Sequence, residues 1–174
     1  MRRYLGIDPG TTGALALLTV ADDGTQTVTV SPTPCDWYQV GTGKRRRYAV
    51  ARCADALGLL SPISLAYVEL QSARPRQGVA SSFQTGFGFG MWIALLTALR
   101  IPYAVIPPPR WRARVGLAAY PKGTDKKVIK TAVRLAACRR FPAVPINLEH
   151  ADAVMLAVAA ALEHGLEATT AREV

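Results

Sequence analysis

A short apolar run that ends in an acid constrains this chain more than any other feature. Tyr4-Leu5-Gly6-Ile7 reads as a buried strand, Asp8 closes it, and Pro9-Gly10-Thr11-Thr12-Gly13 turns the chain immediately afterwards. An acid placed where a buried strand stops is poorly solvated and costs free energy unless something positive answers it. The pattern recurs. Glu69 closes Ala66-Tyr67-Val68, while Glu149 and Asp152 open a long alanine-rich helix near the C-terminus. Several such acids in a chain with few acids overall point to a site for a divalent metal. Hard cations such as Mg²⁺ take oxygen ligands and leave coordination free for water and substrate phosphates. The chemistry implied is that of a metal-dependent nuclease.

With 174 residues, half of them hydrophobic, the chain is long enough for one substantial core that needs no disulfides. One domain is expected over residues 1–166, with a frayed, flexible tail at 167–174. Cys35, Cys53 and Cys138 form no close pair, and with two histidines they offer no zinc spacing. A reduced, cytoplasmic setting follows from that usage. No uninterrupted apolar stretch reaches membrane-spanning length, and the basic N-terminus meets Asp8 too soon for a secretory signal. No membrane partner is expected.

The formal charge is +9, from 21 basic and 12 acidic residues, and its distribution says more than its size. Between Gln71 and Arg140 there are thirteen Lys or Arg and a single acid, Asp125. Lys44-Arg45-Arg46-Arg47 forms a separate run. Positive charge concentrated in this way favours a polyanion, because each cation set against a phosphate releases condensed counterions. A generally basic, soluble surface is the plainer alternative.

Periodicity predicts strands at 3–7, 13–20, 26–30, 65–70 and 103–106, with Asp23-Gly24 as a hairpin turn. Residues 31–43, with two prolines and two glycines, read as a loop. Helices are predicted at about 48–60, 81–99, 109–115, 124–140 and 148–164, the last with Asn147 as N-cap. Three antiparallel strands followed by alternating helices and strands make an α/β fold, a five-stranded mixed sheet flanked by helices. On that scaffold Asp8 and Glu69 leave neighbouring parallel strands at the same end. Glu149 and Asp152 lie three apart, so a helix presents both on one face. Each acid also has an ordinary reading: Asp8 as a turn former, Glu69 as a solvated strand end, Glu149 as a partner of the helix dipole. Asp152, in an apolar helix, is the hardest to explain in that way.

Gly6-Ile7-Asp8-Pro9-Gly10-Thr11-Thr12-Gly13, the strand-end Glu69, Gly78-Val79-Ala80-Ser81-Ser82-Phe83 and His150-Ala151-Asp152-Ala153-Val154 together resemble the RuvC family. These are Holliday junction resolvases of the ribonuclease H-like superfamily, and the similarity is to phage-type members. It covers nearly the whole chain, with the motifs in the family's order. The first motif alone is shared with actin-like sugar kinases, which need two such domains and a much longer chain. The resemblance implies a ribonuclease H-like fold and a homodimer that nicks opposing strands of a four-way DNA junction in recombination and repair. The setting would be a bacterial cell, with phage-encoded members included. Asp8, Glu69, Glu149 and Asp152 would be the catalytic residues and would hold a pair of Mg²⁺ or Mn²⁺ ions. One ion would activate a water and the other would stabilise the leaving 3′ oxygen. His150, next to Glu149, competes with it as the third ligand.

The basic residues divide by task under the same reading. Arg74 and Arg76 would hold the scissile strand beside Glu69. Arg110 and Arg112, with Arg114, bracket Trp111 as phosphate contacts around one stacking group. Lys122, Lys126 and Lys127, with Lys130, surround a glycine-bearing loop and a helix start, suited to a phosphate near the site. Family members tend to carry an aromatic residue just after the strand-end Glu. This chain has Leu70-Gln71-Ser72-Ala73 there, which leaves Phe83, Phe87 or Trp111 to stack on a base. Gly86, Gly88 and Gly90 weaken the 81–99 helix and make sense where another backbone approaches closely, either the sheet or a second copy. Two alternatives remain: a related nuclease acting on flaps or other branched DNA, and a junction-binding protein that does not cut.

Overall fold

A computed structural model describes residues 1–73 and 76–165. The elements in chain order are β1 (Arg2–Ile7), β2 (Ala14–Val20), β3 (Gln26–Pro32), β4 (Cys35–Val40), β5 (Gly43–Tyr48), α1 (Val50–Leu60), β6 (Leu65–Glu69), α2 (Val79–Ala98), β7 (Tyr103–Ile106), α3 (Pro108–Arg114), α4 (Lys126–Arg140) and α5 (Ala151–Glu163). A central five-stranded sheet runs in the order β3-β2-β1-β6-β7. Strands β1 to β3 are antiparallel, whereas β1–β6 and β6–β7 are parallel. This is the mixed, helix-flanked α/β sheet that the periodicity predicts.

Side-chain alternation divides the core into two layers. On β1, Tyr4 faces α3, α4 and α5, whereas Leu5 and Ile7 face α1 and α2. On β6, Tyr67 joins the first layer, and Ala66 and Val68 join the second. Fully buried residues such as Leu5, Ile7, Leu15 and Leu18 stabilise the fold by roughly 1.5–3 kcal/mol each. Period two then places Asp8, one step beyond Ile7, and Glu69, one step beyond Val68, on the α5 side. The parallel register pairs Ile7 with Val68, so both acids emerge at the same level.

Gly6 is what lets α5 reach β1. A Cβ at Gly6 would lie 2.0 Å from the Ala153 carbonyl oxygen and 2.6 Å from the Ala157 nitrogen. Residues Ala151 to Ala161 are buried on every side of α5, which accounts for the nearly unbroken apolar sequence there. Gly13 has a matching role in the loop after β1, where a Cβ would lie 2.1 Å from the Asp8 carbonyl oxygen. Bonds from the Asp8 N–H to the Ala14 carbonyl (3.1 Å) and from the Gly10 N–H to the Asp8 carbonyl (2.9 Å) hold the Asp8 backbone in place.

The segment predicted as a loop departs most from expectation. Residues 35–48 form a separate antiparallel hairpin, β4–β5, with Val40 paired to Gly43 across a two-residue turn. Gly41 takes φ 57° in that turn, a conformation glycine adopts without penalty. The hairpin contributes little to the core, so it lacks the hydrophobic alternation that marks a half-buried strand.

α2 departs in another way. Among the described residues it alone has the length and apolar composition of a membrane-spanning helix. Met91, Trp92 and Leu96 pack it into the second layer, and Gly88 sits against the Tyr48 ring. Val79, Phe83 and Phe87 are exposed, with Phe87 beside the Tyr48 ring at 5.9 Å between centroids. The glycines of α2 differ in their surroundings. Gly88 meets the body of the protein, while Gly86 and Gly90 face open space.

Candidate active site

The ends of β1 and β6 and the first turn of α5 open into one cleft of about 1530 Å³. Asp8, Glu69 and Asp152 line it together with Arg112, Lys126 and Lys130. Glu69 and Asp152 are 8% and 7% exposed, the only buried carboxylates among the described residues. Asp8 keeps some surface open to the cleft, yet loss of hydration still dominates its chemistry. Burial, then the charges of Glu69 and Asp152, push its pKa up to about 7 against the pull of Lys130. Burial also raises Glu69, with Asp152 adding to it, and burial raises Asp152 against the pull of Lys130 and Arg112. Three carboxylates thus share a place where none is fully comfortable as an anion.

Support for Glu69 comes from the opposite wall. Trp111 Nε1 donates to Glu69 Oε1 at 3.0 Å, and Gln71 Nε2 donates to Oε2 at 3.1 Å. Pro107 ends β7 and Pro108 opens α3, a position where the missing N–H costs nothing. One turn of α3 then turns Trp111 inward while Arg112 folds over its ring, with Cζ 5.1 Å from the centroid. Arg112 Nε is buried without a hydrogen-bond partner, and Arg112 lowers the pKa of both Glu69 and Asp152. On α4, Asp125 caps the helix by accepting from the Lys127 N–H at 2.9 Å. Lys126 and Lys130, four residues apart, project from the same side of that helix into the cleft.

The remaining predicted residues divide. Glu149 is exposed and lies outside the cleft lining. It lies in the turn before α5, which begins at Ala151, and is not brought into the cleft beside Asp152. Asn147 Oδ1 accepts the backbone N–H groups of Glu149 (2.9 Å) and His150 (2.8 Å), holding residues 148–150 in a turn before the helix. His150 also lies outside the lining, although its Nδ1 is buried without a partner.

Trp111 is fully buried and does not present a face to DNA, so its expected stacking role is replaced by its bond to Glu69. Its arginine neighbours suggest a surface tryptophan, but on a helix residues adjacent in sequence point about 100° apart. Arg114 is tied to Glu163 and the Tyr67 hydroxyl rather than left free for phosphate. Arg110 is exposed near Tyr67, outside the cleft, and Lys122 and Lys127 are exposed beyond its lining. Arg76 is exposed with φ 65°, and Arg74 lies outside the described residues. Sequence reasoning singled out neither Tyr38 nor Tyr48 for this cleft, which Arg45 and Arg46 also line.

The donor set suits a hard divalent cation: three desolvated carboxylates gathered at one end of a sheet. Among the described residues no three His, Cys, Asp or Glu side chains stand close enough to enclose an ion unaided. A magnesium-type site asks less of the protein: one or two carboxylates, with water and substrate phosphate completing the shell.

No family model and no curated protein matches this sequence. Solved structures do match. A Thermus thermophilus RuvC structure superposes with a TM-score of 0.60 at 16% identity, covering 92% of this chain and 93% of that one. T. thermophilus RuvC in complex with a Holliday junction substrate superposes with a TM-score of 0.59 at 16% identity, covering 94% and 96%. This chain has the RuvC fold. The RuvC-like arrangement spans nearly the full length of both molecules.

Proposed function

We propose that this protein is a metal-dependent endonuclease that resolves four-way DNA junctions by paired, symmetric nicks. The observation that carries this reading is the convergence of Asp8, Glu69 and Asp152 in a cleft walled by arginine and lysine on a RuvC fold. Asp8, Glu69 and Asp152 would hold Mg²⁺ or Mn²⁺. When bound, the ions supply an activated water and neutralise charge on the leaving oxygen. Trp111 and Gln71 fix both oxygens of Glu69, so this carboxylate is presented without searching rotamers. Asp8, held through its backbone at the centre of the sheet and opposed by the charges of both Glu69 and Asp152, would be the ligand most central to the metal. Lys130, Lys126 and Arg112 attract the scissile phosphate and hold it against the acids. Glu149 remains a candidate third ligand that would have to swing in from the 148–150 turn, with His150 as its competitor.

Resolution needs two such sites, and the exposed side of α2 suits a second copy of the chain. Gly86, Gly90, Ala94 and Ala98 recur every four residues on it, flanked by Phe83 and Phe87. Small residues at that spacing let two helices approach closely. The test is cleavage of a labelled four-way junction with Mg²⁺ or Mn²⁺ beside linear duplex and flap controls, with mass measured by light scattering. Paired nicks confined to the junction, from a dimer, would support the reading. Equal cutting of flaps would keep the metal site and overturn the junction preference, and binding without cutting would leave a junction-binding protein.

A further inference from the structure

Nothing in phosphodiester hydrolysis calls on the β4–β5 hairpin, yet it is built as a contact surface. Lys44, Arg45, Arg46 and Arg47 succeed one another on β5, and the hairpin's one acid, Asp36, is engaged by Arg52. Trp37 is 62% exposed and Tyr38 37%, two neighbouring large aromatic side chains turned to solvent. Arg46 lies over the Trp37 ring, 5.0 Å from its centroid, and Arg47 over Tyr38 at 5.8 Å.

The hairpin is also fixed in place. A two-stranded ribbon alone is marginal in water, so its anchors decide whether it holds a shape. Arg52 donates to the Cys35 carbonyl at 2.9 Å, the Ala49 N–H donates to the Pro34 carbonyl at 3.0 Å, and Tyr48 is buried against Gly88. Arg46 Nη1 donates to the Thr11 carbonyl at 3.2 Å, which ties the hairpin to the loop following Asp8. Tyr38, Arg45 and Arg46 thereby form a wall of the acid-bearing cleft, and exposed Phe83 of α2 contributes to the same cleft.

Cations alone would suit any phosphate backbone. Exposed ring faces add a preference, because paired bases are already stacked on one another while unpaired bases offer a free face. We propose that the β4–β5 hairpin binds single-stranded DNA, with Tyr38 on the cleft side and Trp37 on the opposite face of the ribbon each stacking on an unpaired base, and Arg45 and Arg47 holding the adjoining phosphates. It would feed an unpaired strand toward the acids. This extends the nuclease reading of the cleft, although the binding itself needs neither metal nor cleavage.

The molecule carries its own probe. Of its three tryptophans Trp92 and Trp111 are fully buried, so the exposed indole is Trp37. The experiment titrates full-length protein in EDTA with oligo(dT) and, separately, with a blunt duplex, following intrinsic fluorescence and the anisotropy of labelled DNA. Saturable quenching by oligo(dT) is expected. Trp37→Ala and Tyr38→Ala should each weaken oligo(dT) binding by roughly 5-fold to 100-fold, with duplex affinity changed less than about 2-fold. Both positions are exposed, and circular dichroism of the variants verifies that they fold. Unchanged oligo(dT) affinity in the Trp37→Ala, Tyr38→Ala double variant would overturn the proposal, as would equal losses on duplex and single strand. Failure of the nuclease reading looks different: oligo(dT) binds and quenches, but wild type cuts no DNA with Mg²⁺ or Mn²⁺.

Discussion

The acid cleft and the hairpin beside it are held by opposite kinds of chemistry. Asp8, Glu69 and Asp152 are positioned by packing: a glycine that admits α5, a register that aligns two strand ends, and a buried indole that orients a carboxylate. The β4–β5 hairpin is positioned by a few hydrogen bonds and shows most of its side chains to solvent. Damage to the first region should therefore cost stability and chemistry together. Damage to the second should cost binding alone.

Gly6→Ala should produce the largest effect. Its new methyl would meet the Ala153 carbonyl at 2.0 Å, so α5 must shift away from β1. A loss of about 3 kcal/mol or more is expected from the urea midpoint, together with loss of any metal-dependent activity. A change within measurement error would show that α5 does not depend on that contact.

The next test uses pH without metal. Asp8 has a folded pKa of about 7, above the roughly 3.9 of an unfolded chain. The folded state therefore holds this proton more tightly. The stability it confers is complete below about pH 4 and is lost as the pH rises to 7. Wild type in EDTA should melt lower at pH 8 than at pH 5.5. Asp8→Asn should lose most of that slope and melt roughly 5 °C above wild type at pH 8. Mg²⁺ should narrow the gap by stabilising wild type alone. If Asp8→Asn melts with the wild-type slope, the three acids do not crowd one another.

Trp111→Phe keeps the buried ring but removes the bond to Glu69 Oε1. It should lower metal affinity or cleavage by roughly 10-fold to 100-fold, as loss of a ligand-orienting partner usually does. Isothermal titration with Mn²⁺ separates the two. Smallest of all, Arg47→Ala on the hairpin should leave the melting temperature within about 1 °C and reduce the salt slope of DNA binding by about one. If it unfolds the protein, the contrast between the two regions is mistaken.

The same contrast explains what could be read from sequence. β2 is buried on both faces and β6 and most of β1 nearly so, and α5 is buried all round, so their apolar runs carry the fold directly. Asp8, Glu69 and Asp152 stand out because they interrupt those runs. The hairpin has no buried face to impose a period-two pattern, and Pro32 and Pro34 just before it, with Gly41 and Gly43 at its turn, mimic a loop. Trp111 misleads for a related reason: alternation with arginine suggests a surface, whereas a seven-residue helix turns the ring inward. Glu149 depends on where a helix begins. Asn147 accepts the N–H groups of Glu149 and His150 in a turn, and α5 proper begins only at Ala151, a local detail that spacing alone does not reveal.

The central claim is that the three sunken carboxylates cut branched DNA. Its most direct test is to map the nicks made in a labelled four-way junction by wild type and Asp8→Asn with Mg²⁺, measuring binding in parallel. Paired nicks bearing 5′ phosphates, absent from the variant while binding persists, are the predicted result. Cutting by Asp8→Asn at the wild-type rate, or binding by wild type without any nick, would contradict it.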